Sequence, residues 1–176
     1  MAVAVARTAR GVTRPRNSQS LLLALLGLGV VAVLVVVVVL AMRLHDARAE
    51  DHRREEILQS ARQQGVNITT LDYRSVDKDL SRVLAQSTGT FRKEFEAGTK
   101  DLTDLVVKNK AVSTGEVLAA GIVTADSDSA RVLVVADATV GNSASTDQQQ
   151  VRHYRMQLDM VRSGNRWLTS TLTFVG

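Results

Sequence analysis

The amino-acid sequence predicts an α+β domain carried on one membrane-spanning helix. Three features of the 176-residue chain support this prediction. An uncharged segment lies near the amino terminus, apolar residues then recur with a helical period, and from Val112 onward they alternate with polar residues. Helices followed by antiparallel strands are typical of an α+β fold, with the helices covering one face of a curved four-stranded sheet.

The uncharged segment Leu21 to Met42 is long enough to cross a membrane as a helix, which we place at residues 21–43. At about 1.5 Å per residue it covers roughly 33 Å, enough for the hydrocarbon core of a bilayer. Backbone groups inside lipid must find partners within the segment, which favours a helix despite the many valines. A cleavable secretory signal is the alternative, because Ala47-Arg48-Ala49 resembles a cleavage site. The apolar region of such a signal is only about 7–15 residues long, so the length favours an uncleaved anchor.

The arginines around the segment indicate its orientation. Residues 1–20 are interpreted as a disordered cytoplasmic tail without acids, and they hold four arginines: Arg7, Arg10, Arg14 and Arg16. Four more follow the segment, so the count alone is close to balanced: Arg43, Arg48, Arg53 and Arg54. Because the tail carries no folded mass, we expect it to stay inside, near anionic membrane lipid. The rest of the chain then lies outside the cytoplasm.

The charge and composition of residues 43–176 exclude several classes of protein. Four of the 22 Lys and Arg residues lie in the tail, which leaves 18 against 18 Asp and Glu in this part. Such a balanced domain lacks the basic face that nucleic-acid binding requires. The chain has no cysteine, so disulfides, thiol nucleophiles and thiolate metal ligands are excluded. The domain must therefore be stabilised by packing alone.

A charged helix is predicted directly after the membrane segment, over residues 44–64. Oppositely charged residues lie three or four apart, as in Glu50 and Arg54. Apolar residues give it a partial second face: Leu44, Ala47, Ile57, Leu58 and Ala61. Gly65 is expected to end this helix and to begin the extracytoplasmic domain, residues 65–176.

Residues 65–70 are expected to form a break in the helical pattern. Within the break, Asn67-Ile68-Thr69 fits the N-glycosylation pattern. Three-residue matches arise by chance, so we interpret Asn67 as a turn residue instead.

Two further helices are expected between residues 75 and 109. Ser75 can cap the first, with Asp77 and Asp79 in its favourable first turn. Its apolar residues fall on one face: Val76, Leu80, Val83 and Leu84. Thr88-Gly89-Thr90 interrupts the pattern, and the second helix runs from about Thr90 to Asn109. Its apolar side consists of Phe91, Phe95, Leu102, Leu105 and Val106.

From Val112 the apolar period changes to two, which predicts a meander of four strands. The strands are Glu116 to Thr124, Ala130 to Val140, Gln149 to Val161 and Arg166 to Val175. Turn-forming residues separate them at 126–129, at 141–147 and in the tight turn at 163–165. Alternation in the third strand is typical of a sheet with one packed and one solvated face.

A set of short segments follows residue 20 in a recognisable order. They are the charged helix, Leu71-Asp72-Tyr73, Ser87-Thr88-Gly89-Thr90-Phe91, Ala120-Gly121-Ile122-Val123, Ala130-Arg131-Val132-Leu133-Val134, and Met160-Val161 before Gly164-Asn165-Arg166-Trp167-Leu168. In this order the chain resembles the Mce-associated membrane proteins of actinobacteria, named for the mammalian-cell-entry lipid importers. The resemblance implies a cystatin-like fold of the nuclear-transport-factor-2 type, shared with the inner-membrane assembly proteins of type IV secretion.

The resemblance also implies a non-catalytic accessory role. The protein would bind and stabilise an Mce-type lipid import complex on the outer face of the cell membrane. Its partners would be transporter subunits, related membrane proteins and membrane lipid, with no nucleic acid. Two alternatives remain open: a small-ligand or lipid carrier that uses the cone-shaped interior of the fold, and a secretion-system assembly subunit of the same architecture.

Residues that could carry catalytic chemistry are few. The two histidines His45 and His52 are seven apart on a helix, too distant to share a metal ion directly, and His153 begins a strand. Enzymes of the implied fold place acid–base residues in the cone, where Asp137 and Asp159 are candidates; solvent-face carboxylates are the competing interpretation. Their possible partners are Tyr73 and Tyr154. We interpret three aromatic residues as core: Trp167, Phe91 and Phe95. No catalytic, cofactor-binding or metal-binding residue is assigned, and no cofactor is expected.

Overall fold

The computed structural model describes residues 18–142 and 149–175, and the chain divides into two compact units, Met1–Ala47 and Arg48–Gly176. The elements in chain order are α1 (Ser18–Thr69), β1 (Leu71–Asp72), α2 (Val76–Ala85), α3 (Gly89–Asn109), β2 (Val112–Ala125), β3 (Ser129–Gly141), β4 (Gln150–Ser163) and β5 (Arg166–Phe174). Residues 1–17 of the predicted tail lie outside the described residues, whereas residues 18–20 belong to α1. Residues 143–147 of the turn region predicted at 141–147 also lie outside them.

The first part of α1, residues 26–42, is apolar on every side. Between Leu26 and Met42, each large apolar side chain that the structure describes is at least 47% exposed. In residues 18–142 and 149–175 this is the one helix long and apolar enough to cross a membrane. A helix that is hydrophobic all round is unfavourable in water and favourable in lipid. It therefore fits the predicted single-pass anchor.

The second part of α1, residues 48–69, continues to Thr69, so the predicted end of the helix at Gly65 is wrong. Gly65 serves close packing instead, because a Cβ at this position would lie 2.9 Å from Val117 Cγ2 and 3.0 Å from Val134 Cγ1. Tertiary packing therefore decides the use of glycine here and overrides its poor helix propensity. Residues 48–64 also belong to the same compact unit as the sheet.

Asn67 lies in the last turn of α1 and is buried, so its interpretation as a turn residue is wrong. Its amide oxygen accepts a hydrogen bond from Gln63 Nε2 at 3.0 Å, and its own amide nitrogen donates to Gln86 Oε1 at 3.3 Å. A side chain held inside the fold in this way cannot carry a glycan. The sequence match to a glycosylation site is therefore coincidental.

Helix α2 lies where the Ser75 cap predicts it, and α3 matches its predicted bounds to within one residue. The Ser75 hydroxyl caps no backbone N–H but donates to the Asp79 carboxylate at 3.2 Å. The interruption between the helices is confirmed, since Gly89 begins α3 with φ of +56°, a conformation that favours glycine. Leu105, predicted on the apolar side of α3, is exposed.

All strands belong to one antiparallel sheet in the order β1-β2-β3-β4-β5, so the sheet has five strands and not four. The sequence does not predict strand β1, because two residues are too few to show an alternation of apolar and polar side chains. The four longer strands confirm the predicted meander. Extra residues at Leu118 and Val123 make two bulges in β2, and a further register shift lies after Asp159 in β4. Such bulges bend and twist a sheet.

The core lies between the inner face of the sheet and the second part of α1. Ile57 and Ala61 of α1 pack against alternate residues of the two central strands: Ala130, Val132, Val134, Ala136, Met156, Leu158 and Met160. Trp167 is 2% exposed and belongs to this core, which confirms its predicted position. A smaller cluster joins α2 to α3 and consists of Val76, Leu80 and Val106, with Phe95 packed on it. The arrangement confirms the predicted α+β class.

Candidate partner-binding surface

The outer sheet face consists of the residues that alternate with the core, namely Arg131, Leu133, Val135, Asp137 and Thr139 of β3 with their cross-strand neighbours on β2 and β4. Leu133, in the central strand, is 42% exposed, so this face is open to solvent. Further aliphatic side chains on β2 and β4 are exposed as well: Leu118, Val123 and Val151. Exposed apolar side chains with polar residues around them make this face a candidate surface for binding proteins.

Arg131 and Asp159 form the first charged pair of this face. They lie directly opposite each other on β3 and β4, and Arg131 Nε donates to Asp159 Oδ1 at 2.6 Å. This hydrogen bond raises the pKa of the Arg131 guanidinium above its usual value. Because both side chains are partly exposed, water screens the pair and it contributes little to the stability of the fold. Its main effect is to hold two charges at fixed positions on the surface.

Asp137 and His153 form the second pair, with His153 Nδ1 2.7 Å from Asp137 Oδ1. These residues are also direct cross-strand partners, and Glu116 lies opposite Asp137 on its other side. Two carboxylates and one imidazole therefore form a row across three strands. An exposed row can bind a charged group of a partner, but it lacks the enclosure from water that makes acid–base catalysis efficient.

The predicted acid–base residues are not brought together in the cone. Asp137 and Asp159 both lie on the outer sheet face, whereas Tyr154 lies on the inner face and Tyr73 follows β1 in a turn. The two remaining histidines are exposed on α1: His45 and His52. Within residues 18–142 and 149–175, no three His, Asp or Glu side chains converge in a way that could hold a metal ion.

One polar cluster lies inside the core, where α1, the α2–α3 connection and β5 meet. Gln64 Nε2 donates to Ser87 Oγ at 3.1 Å, and the Thr169 backbone exchanges hydrogen bonds of 2.8 and 2.9 Å with the connection. Within the described part of the chain, four buried side-chain polar atoms have no hydrogen-bond partner: Arg53 Nε, Gln64 Oε1, Trp167 Nε1 and Thr169 Oγ1. The hydrogen bonds of the cluster tie the end of α1 and strand β5 to the connection between α2 and α3.

Asp79 is a buried carboxylate, whereas the sequence predicts only that it lies in the first turn of a helix. Its Oδ2 accepts the Asp72 N–H at 2.9 Å, and its Oδ1 accepts a hydrogen bond from Arg82 at 2.6 Å. The side chain of Asp72 is paired with Arg74, whose hydrogen bonds lower the pKa of Asp72 to about 2. These contacts fix the turn between β1 and α2. The available signal was the position of Asp79 on the predicted apolar face, between Val76 and Leu80.

Comparison with known families gives one match across most of the chain. A family model described as "Uncharacterized protein Rv1363c/MT1408-like" matches residues 20–176. Uncharacterized protein Rv1363c of Mycobacterium tuberculosis (strain ATCC 25618 / H37Rv) is 32% identical over 131 residues. This alignment covers 74% of the chain and 50% of the relative, so the chain spans about half the length of the curated protein it matches. Neither description mentions an Mce association.

Several solved structures are similar in fold. An IcmL-like type IV secretion system protein from Legionella pneumophila has a TM-score of 0.57 at 13% identity, over 69% of this chain and 91% of that one. The periplasmic domain of DotI has a TM-score of 0.56 at 16% identity, over 68% and 92%. CagV, a VirB8 homologue of the Helicobacter pylori type IV secretion system, has a TM-score of 0.54 at 5% identity, over 69% and 97%. At these identities the likeness concerns the fold alone, and it confirms the expected fold shared with type IV secretion proteins.

Proposed function

This chain belongs to the Rv1363c/MT1408-like family, and on that premise we propose that it is a membrane-anchored assembly subunit without catalytic activity. It binds partner proteins of a membrane transport complex through the surface of its folded domain. The apolar first part of α1 and the fold likeness to type IV secretion proteins support this role. One of those structures is a periplasmic domain, which supports placing residues 48–175 outside the cytoplasm.

The observation that carries the proposal is the filled interior of the domain. The largest core side chains between α1 and the sheet are each no more than 2% exposed: Ile57, Val132, Val134, Met156, Leu158, Met160 and Trp167. Even a methyl group at Gly65 would meet two valine side chains. A carrier of small ligands or lipids needs an internal space of about 300 Å³ or more. We therefore assign the binding function to the surface and place the carrier alternative second.

The finer form of the proposal concerns the complex that the subunit serves. The fold likeness favours a secretion-type assembly, so we place that complex first. The sequence resemblance to Mce-associated proteins implies a lipid importer, which is the second candidate. In both cases the subunit has the same task, to hold other membrane proteins together next to membrane lipid, and no nucleic acid takes part.

Affinity purification of the tagged full chain from its own membranes in mild detergent tests the proposal. We expect subunits of one membrane complex to co-purify in near-stoichiometric amounts, and their identity separates a secretion assembly from a lipid importer. A chain that lacks Met1 to Met42 is the matched control and should lose these partners. Purification of the full chain alone, with lipid bound inside the domain, would contradict the assembly role and support the carrier.

A further inference from the structure

Strand β2 has a long free edge. The strand has 14 residues, but β1 pairs only with its first two, Val112 and Ser113. The next contact on that side is the Gly115 N–H, which donates to the Thr70 hydroxyl at 3.1 Å. From Glu116 to Ala125 the strand pairs only with β3 among the described strands. We refer to this stretch as the free edge of β2.

Backbone groups of the free edge face away from the sheet. In an antiparallel ladder the N–H and C=O of one residue point to the same side of the strand, and those of the next residue point to the opposite side. The Gly115 N–H points away from β3, because it donates to Thr70. When the extra residue at Leu118 is allowed for, the N–H and C=O groups of Val117, Ala120 and Ile122 point in the same direction. Exposed donors and acceptors at a sheet edge are the groups to which an added strand binds.

Side chains along the free edge leave room for an added strand. Its middle part consists of the small residues Ala119, Ala120 and Gly121, and no atom lies within 4 Å of the position that a Cβ on Gly121 would take. The bulges leave Leu118 and Val123 exposed by 56% and 54%, one at each end of this part. Because a bulge interrupts the ladder, the two bulges restrict pairing to a short stretch and to one register.

The acidic residues at both ends of the free edge indicate which kind of strand can bind there. Glu116 lies at one end of the free edge, Asp126 and Asp128 lie beyond the other, and no basic residue occurs between Ala111 and Ala130. Two copies of the chain paired antiparallel here would bring Glu116 of each copy close to Asp126 of the other. Like charges that face each other across strands destabilise the pairing. The edge therefore suits an apolar strand with basic residues at both ends.

We propose that the free edge of β2 binds an extended segment of a partner protein as an added strand. The segment is apolar where it faces Ala119 to Ile122 and carries Lys or Arg at both ends, opposite Glu116 and Asp126. Main-chain hydrogen bonds to the edge provide affinity, while Leu118 and Val123 contact its outer side chains. This inference rests on the proposed function, since it identifies where the assembly subunit binds one of its partners.

Labelled peptides test the chemistry of the occupant. The probe is Lys-Lys-Val-Thr-Ile-Thr-Val-Lys-Lys, and its binding to the full chain in detergent is measured by fluorescence anisotropy. One control replaces the four lysines by glutamates, and another carries N-methyl groups on the alternate main-chain nitrogens of one edge, with the two possible edges tested separately. We expect the glutamate peptide and one of the two methylated peptides to bind at least about tenfold more weakly than the probe. Equal binding of the probe and both methylated peptides would overturn the proposed main-chain pairing.

Variants of the chain locate the binding. Ala120→Pro removes an N–H that faces the open edge and leaves the bonds to β3 in place, since proline is tolerated at such edge positions. Ala120→Val keeps the N–H and is the matched control. We expect Ala120→Pro to weaken probe binding at least about tenfold and Ala120→Val to preserve it. The double variant Glu116→Lys, Asp126→Lys should bind the glutamate peptide more tightly than the probe. This reversal tests the location of the binding site even if Ala120→Pro fails to fold.

Membrane purification separates this inference from the assembly role. If a folded Ala120→Pro chain retains every partner of the parent chain, the edge proposal is wrong and the assembly role stands. If the parent chain itself purifies without partners, the assembly role fails instead. A dimeric parent that becomes monomeric on Ala120→Pro would assign the edge to a second copy of the chain and overturn the proposal.

Discussion

Gly115 and Gly121 lie in the same strand but in opposite surroundings. A Cβ at residue 115 would lie 1.8 Å from Thr69 Oγ1 and 2.5 Å from Thr69 Cβ, whereas residue 121 has open space. We expect Gly115→Ala to lower the free energy of unfolding by at least about 2 kcal/mol, because the end of α1 must move. Gly121→Ala should change it by no more than about 0.5 kcal/mol. Urea unfolding followed by the fluorescence of the single tryptophan measures both, and equal effects would contradict the close approach of Thr69.

Trp167 is the largest side chain that β5 contributes to the core. Truncation of a buried aromatic residue costs about 3–5 kcal/mol, a large part of the stability of a small domain. We therefore expect Trp167→Ala to lower the melting temperature and the level of folded protein in membranes. Circular dichroism of the purified variant is the measurement. An unchanged melting temperature would mean that the indole ring contributes little to the core.

The carboxylates of the outer sheet face are expected to be dispensable one at a time. Asp137→Asn and Asp159→Asn each remove one charge from a partly exposed pair, and such pairs contribute little to stability because water screens them. Partner levels and transport in cells should therefore stay close to those of the parent. An acid–base enzyme would lose on the order of 10²–10⁴ in rate. A folded variant that keeps its partners yet loses transport would contradict the non-catalytic assignment.

At the scale of elements, α1 combines an exposed apolar part with a part that completes the core. Ile57, Ala61 and Gln64 recur at helical spacing and are fully buried. The sequence shows the beginning of these buried positions, but the glycine that follows them predicts a helix end. Propensity alone cannot reveal that Gly65 faces Val117 and Val134, because those contacts depend on strands far along the chain. Strand β1 has two residues and no periodicity, so it was equally hidden.

Truncation tests the contribution of α1. A chain that begins at Arg48 keeps the buried face of the helix, whereas one that begins at Gly65 loses Ile57 and Ala61. We expect the first to unfold cooperatively in urea and the second to lack a cooperative transition, because the sheet is left with an uncovered apolar face. Near-ultraviolet circular dichroism provides a second signal. Cooperative unfolding of the shorter chain at the same urea concentration would show that the helix is not part of the core.

At the scale of the whole molecule, period and composition were sufficient to predict the α+β class, the long apolar helix and the four long strands. Less of the candidate partner-binding surface could be predicted from the sequence. Arg131 meets Asp159 and Asp137 meets His153 only because the β3–β4 register aligns them, and a register depends on turns whose length the sequence leaves open. Asp137 and Asp159 were therefore recognised as candidates, while their partners were not.

Topology is a prediction for the entire chain. The arginine-rich tail before the uncharged segment predicts that the amino terminus is cytoplasmic and the folded domain is outside. Alkaline phosphatase, which is active only outside the cytoplasm, should be active when fused after Gly176, and a reporter active only in the cytoplasm should be inactive there. Matched fusions within residues 1–17 should give the opposite pair of results. Cytoplasmic activity after Gly176 would overturn the orientation and the proposed location of the partners.

The contribution of α1 to the core also constrains how the protein is made. Ile57 and Ala61 belong to the same core cluster as Met160 and Trp167, which lie about a hundred residues later in the chain. At a synthesis rate of about 5–20 residues per second, the apolar face of the helix waits roughly 5–20 s for these partners to emerge. The domain therefore cannot fold progressively during translation. A polypeptide terminated before Trp167 would be inserted but unfolded, and quality-control proteases at the membrane should remove it.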